Sequence, residues 1–194
     1  MSGAARAGRG TRGLLAALAA AALLAAAGCA GDSAAAPDGA TATGPHGEPL
    51  IALTDDVRQP YLSYWDDYVR VFRAADPQAP GLEGHADEPN LSILRASLQQ
   101  LRQDGQRMQG DVRHRLLGMQ VRGELYQVYD CVDLDSWRIT DAATGRETDQ
   151  VGRRPEQLAV MTMRQVDGRW KVTDVQRPVP CPSASPAAAP SGTG

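Results

Sequence analysis

Val166-Asp167-Gly168-Arg169-Trp170-Lys171-Val172, "VDGRWKV", decides how the chain is read. Two runs flank its Asp167-Gly168 pair, "LAVMTMRQV" before and "RWKVTDVQ" after. A two-residue Asp-Gly loop between such runs predicts a tight antiparallel hairpin. Trp170 and Val172 alternate onto one face of it, because successive side chains of a strand point to opposite sides.

Working back from this hairpin, "VRHRLLGMQV" (112–121) and "ELYQVYDCVDL" (124–134) are a second strand pair, separated at Arg122-Gly123. "SWRITDAATGRETDQ" (136–150) predicts a further short hairpin around an Ala-Thr-Gly turn. Before Gly110 the period is helical. In "PYLSYWDDYVRVFRAADP" (60–77), Tyr61, Tyr64, Trp65, Tyr68 and Phe72 share one helix face, and Asp76-Pro77 ends the helix. A second helix is expected from about Asp87 to Gln103, with Leu94, Leu98 and Leu101 on one face, Gly105 as a stop, and Asp87 or Asn90 as its cap. Two helices followed by a strand meander predict an α+β fold and exclude a doubly wound parallel sheet.

The N-terminus reads as a targeting signal. Residues 1–13 carry Arg6, Arg9 and Arg12 without an acid, and Leu14 to Ala27 are only Leu and Ala. That order is a secretory signal peptide over 1–28, and the apolar run is shorter than the roughly 18 residues of a spanning helix. Ala26-Ala27-Gly28-Cys29 resembles the lipobox of bacterial lipoproteins, with Ala26 where the commonest form has Leu. The resemblance implies diacylation of the Cys29 thiol and anchoring at the outer face of the plasma membrane; an ordinary secreted protein is the alternative. Two acyl chains matter, since one chain alone binds membranes marginally.

Cleavage after residue 28 removes three arginines and no acid, taking the formal charge from −3 to −6. No basic stripe interleaves with aromatics, so nucleic acid is not expected as a partner. With Cys29 assigned to lipid, Cys131 and Cys181 remain as a pair in an exported chain, and a disulfide between them is expected over two buried free thiols. His46, His85 and His114 are scattered without a second ligand at metal spacing, so neither metal nor cofactor is expected. Residues 29–54 are read as a flexible tether, 55–181 as one domain, and 182–194 as a disordered tail, the last too poor in large apolar residues to offset its ordering entropy.

The aromatic helix ending in "ADP", a second helix stopping at Gly, "YDCVDLDSW", a "TG" turn and the final "VDGRWKV" together resemble secreted proteins and lipoproteins of high-GC Gram-positive bacteria with an NTF2-like fold, the fold of ketosteroid isomerases. The resemblance spans about residues 55–181. It implies N-terminal helices packed on a curved antiparallel sheet, forming a cone with a cavity at its open end, and a homodimer through the outer face of the sheet. It also implies that Cys131 reaches Cys181 and pins the C-terminus. Candidate pocket residues are Tyr64, Trp65, Tyr68, Phe72, Leu98 and Trp137.

Enzymes of this fold place an acid/base group inside the cone, and the candidates are Tyr64, Tyr68, Asp66, Asp67, His114, Asp130 and Asp133. None maps onto a catalytic motif. Asp66-Asp67 is expected on the solvated side of its helix, His114 as a partly buried structural residue, and Asp130 and Asp133 as rim or turn acids on opposite faces of a strand. The functional expectation is therefore a non-enzymatic module that binds a small apolar ligand or an envelope protein. The alternative is a cone-type isomerase or hydratase.

Overall fold

The computed structural model describes residues 40–148, 150, 155–176 and 179–182. The expected signal peptide, Cys29, the first part of the tether and residues 183–194 lie outside them.

Helix α1 (Asp55–Ala74) lays Val57, Tyr61, Tyr64, Trp65, Val71 and Phe72 into the core. It starts five residues before the expected Pro60, because Pro60 is accommodated inside the helix. Its end follows the sequence reading: Ala75 takes the left-handed conformation, and the Asp76 N–H reaches back to the Val71 carbonyl at 3.4 Å. After the short α2 (Leu82–His85) comes α3 (Asn90–Gln103), which buries Leu91, Leu94 and Leu98. Neither expected cap side chain acts: Pro89 occupies the N-cap position, and the Asn90 amide instead donates to the Tyr64 hydroxyl at 3.3 Å and the Val172 carbonyl at 3.4 Å.

Among the described residues eight strands occur, two before α1 and six after α3: β1 (Ala40–Thr43), β2 (Pro49–Ile51), β3 (Gln106–Gln109), β4 (Arg113–Arg122), β5 (Leu125–Asp133), β6 (Arg138–Asp141), β7 (Glu156–Val166) and β8 (Arg169–Val175). Six of them form one antiparallel sheet in the order β1-β2-β4-β5-β7-β8. The α+β architecture is as expected, with the N-terminal helices packed on this sheet. Asp167 and Gly168 both have positive φ, so the β7–β8 turn is the mirror-image type that matches strand twist.

Two expectations are corrected. Residues 40–43 and 49–51 of the expected tether are strands, with Leu50 fully buried. The run 136–150 does not fold only on itself: β6 pairs with β3 in a separate two-stranded sheet, and Thr140 then bridges Glu147 across the turn.

The sheet has two apolar faces. Met119, Val128, Val132, Met161, Met163 and Val172 join the helices in the main core. Tyr129, Cys131, Leu158 and Val160 form a second cluster on the other face, together with Leu50 of β2. Between Leu116 and Gly118 the β4–β5 register slips by one residue, a β-bulge. Gly118 has φ 150°, and a Cβ there would lie 2.7 Å from the Leu50 Cβ and 2.8 Å from the Ile51 carbonyl oxygen. Gly118→Ala is thus expected to cost about 1–3 kcal/mol, read as a lower urea midpoint, because β2 has to move away from β4.

Candidate functional site

The register slip at Gly118 sets the most unusual cluster in the molecule. Beyond the slip Leu116 opposes Asp130 and His114 opposes Val132, which makes His114 and Asp130 diagonal neighbours on the helix-facing side. Asp130 is fully buried, against the expectation of a rim acid. A buried carboxylate is tolerated only when its oxygens are supplied with donors. Here the Tyr61 hydroxyl donates to Oδ2 at 2.9 Å, the Arg115 backbone N–H lies 3.0 Å from Oδ1, and His114 Nδ1 sits 2.6 Å from Oδ2.

His114 has a side chain 18 % exposed, so its ring connects this buried network to the surface. The ring lies 5.1 Å from that of Trp65, centroid to centroid, and edge-on to Tyr61 at 6.4 Å. On the surface it lines a groove of about 530 Å³ between α1 and the start of β4, shared with Leu62, Trp65, Val69 and Val112. Asp66, Arg70, Arg73 and Asp111 line the same groove. The indole Nε1 of Trp65 is buried without a hydrogen-bond partner among the described residues.

The six candidate pocket residues are brought together, but as packing. Tyr64, Trp65, Phe72, Leu98 and Trp137 belong to the main core, and the half-buried Tyr68 packs against it. Tyr68 stacks on Phe72 at 4.2 Å and lies 5.2 Å from Trp65 and 6.3 Å from Trp137. Rings at these distances pack against one another as core side chains do. Of the remaining acid candidates, Asp66 is exposed, Asp67 binds Arg70 and His85, and Asp133 pairs with Arg113. Asp67 and Asp133 hold the surface together rather than converging on a site.

Burial and the neighbouring Asp130 carboxylate hold the Tyr61 phenol well above the usual tyrosine range. Burial pushes Tyr64 up to about 12 and raises Tyr68 as well. A raised folded-state value means that the neutral phenols stabilise the fold fully below their unfolded value. That stabilisation is lost as pH rises through the folded value. Stability is therefore expected to fall between about pH 10 and 12 as these tyrosines are forced to ionise, which urea midpoints along an alkaline series will measure.

On the other face Cys131 and Cys181 form a disulfide with Cα atoms 5.7 Å apart. Their sulfurs and a Glu156 carboxylate oxygen lie within 4.8 Å of one another, but the sulfur–sulfur bond leaves no thiolate there to hold a metal. Among the described residues no helix is long and apolar enough to cross a membrane.

No protein-family model matches the chain, and no curated protein matches it in sequence. Among solved structures it is similar to the intermembrane space region of chloroplast protein ARC6, at 12 % identity and a TM-score of 0.45, over 64 % of this chain and 97 % of that one. It is also similar to a designed NTF2 chain, at 11 % identity and a TM-score of 0.33, over 61 % of this chain and 96 % of that one.

Proposed function

We propose that this chain is a lipoprotein of the outer face of the plasma membrane, held there by a diacylated Cys29, whose domain works by binding. The observation that carries the binding reading is the packing of the candidate pocket residues: Tyr64, Trp65, Phe72, Leu98 and Trp137 are buried together in the main core. Recognition then falls to the surface, either of a small apolar ligand or of an envelope protein. The disulfide supports an oxidising, extracytoplasmic compartment, where such bonds persist. The test is the intact mass of the membrane-extracted protein, with and without reduction before alkylation. A diacylglyceryl adduct on a chain beginning at Cys29, with two thiols alkylated only after reduction, is the expected result. A lipid-free chain cut elsewhere overturns the anchor in favour of secretion, and two thiols open without reduction overturn the compartment.

The second reading is an acid/base enzyme of isomerase or hydratase type acting on a small apolar substrate. It is favoured by one observation, a histidine oriented by a buried carboxylate at the edge of a groove. Turnover of such a substrate that collapses in His114→Gln decides for it. Pairing of copies through the outer face of the sheet belongs to the same proposal, and sedimentation of the full chain in detergent measures it.

A further inference from the structure

We infer that the groove between α1 and the start of β4 binds an apolar weak acid in its neutral form, with His114 Nε2 accepting the proton of the ligand's O–H group. The inference rests on the binding reading above and gives it a site and a ligand class, a phenol.

The first support is the orientation of the imidazole. An ionised carboxylate only accepts hydrogen bonds, so the 2.6 Å contact to Asp130 Oδ2 places the ring proton on Nδ1. The ring lines the groove while its Nδ1 edge is turned to the fully buried Asp130, which leaves Nε2 as the edge on the groove side. No hydrogen bond to Nε2 exists among the described residues. Nε2 is therefore a lone pair without a partner among the described residues.

The second support is the groove wall. Leu62, Val69 and Val112 offer apolar surface, and Trp65, only 7 % exposed, adds an aromatic ring. An apolar body with a polar oxygen suits this lining.

The third support is the charge on the rim, which leaves no unpaired cation for a permanent anion. Arg73 is taken up by Asp111 and the Gly110 carbonyl, and Arg70 by Asp67 and the Pro80 carbonyl. Asp66 has no ionic partner among the described residues, and with Asp111 it offsets Arg70 and Arg73, so the charges lining the groove sum to zero. A ligand that enters neutral needs no unpaired cation on the rim. Once it is bound, its O–H bond breaks, the proton passes to Nε2, and the oxyanion faces an imidazolium whose charge Asp130 balances. The buried Tyr61 phenol keeps its proton throughout, since its value lies well above the usual range.

The probe is 4-nitrophenol, whose phenolate absorbs where the neutral form does not. It is titrated into the full chain in detergent, below the pH at which the free phenol ionises. The expected result is a saturable phenolate band together with quenching of tryptophan fluorescence. In His114→Gln the band is lost while some quenching remains, with affinity weaker by about tenfold, the size of one hydrogen bond to a charged group. Val69→Trp, which fills the groove and leaves His114 and Asp130 untouched, is expected to abolish both signals. Absence of saturable binding, or a phenolate band unchanged in His114→Gln, overturns the inference. Saturable quenching without any phenolate band overturns the proton transfer and leaves the binding reading standing, and a lipid-free mature chain overturns the anchor and leaves this site standing.

Discussion

Asp130→Ala is expected to lower the unfolding free energy by about 3–5 kcal/mol, the range seen when one member of a buried polar or ionic network is removed. The size follows from what is left behind. The Tyr61 hydroxyl, inside a fully buried side chain, loses its acceptor, and the Arg115 N–H loses the Oδ1 oxygen that satisfies it. Each such orphan costs roughly 1–3 kcal/mol. His114 suffers less, because its ring is partly exposed and water can replace the lost contact. Asp130→Asn separates the terms: one amide oxygen still accepts, the Tyr61 hydroxyl can rotate, and the imidazole can change tautomer, so a loss of only about 1–2 kcal/mol is expected. Urea unfolding with an unchanged denaturant slope checks both. An alanine variant as stable as the parent would mean that water already solvates Asp130 and that the cluster is no network.

The same residue shows where sequence reading stops. Along β5 the alternation is regular, so Asp130 and Asp133 fall on opposite faces as expected, and each hairpin turn appears within a residue of its sequence signal. The β4–β5 pairing, however, keeps one register from Arg122↔Leu125 to Gly118↔Tyr129 and then slips, so that Leu116 meets Asp130. An unbroken ladder would have put Leu117 opposite Asp130, with His114 on the other face. A one-residue slip reverses every side chain beyond it, and nothing in "RHRLLGMQV" except the glycine itself signals it. Tyr61 was legible as a core position but not as the donor to an acid sixty-nine residues away. The tether was misjudged for another reason: "ATAT" and "PLI" are too short and too plain to read as strands, and they are ordered by pairing with each other and by burial of Leu50 beneath the sheet's second face. The aromatic helix face was legible as a set, but periodicity cannot tell the wall of a cavity from rings packed against one another.

Breaking the Cys131–Cys181 bond is expected to lower stability by about 2–4 kcal/mol without unfolding the domain. The two cysteines are 50 residues apart in sequence. Closing such a loop removes unfolded-state entropy worth roughly 4 kcal/mol in the chain-entropy model, which is an upper figure because measured bridges often deliver less. The native side explains why the fold persists. The segment after β8 is also held by the Leu158 N–H, which donates to the Val179 carbonyl at 2.8 Å, and the central strands are paired along their length without help from the bridge. The two single variants are not equivalent. Cys131 is 1 % exposed within the outer apolar cluster, whereas Cys181 only packs against that cluster and is half-buried. Cys181→Ser leaves a free thiol at position 131 that behaves as a small buried hydrophobe. Cys131→Ser instead places a hydroxyl among Leu50, Tyr129, Leu158 and Val160, adding about 1–3 kcal/mol of desolvation to the loss of the bridge. Urea unfolding of the parent, the reduced parent and both variants is thus expected to rank them in the order parent, Cys181→Ser with the reduced parent beside it, then Cys131→Ser. Equal stability of all four would mean that the bridge constrains neither the folded nor the unfolded chain, and that the packing of Val179 and Cys181 on the sheet already suffices to hold the C-terminal segment.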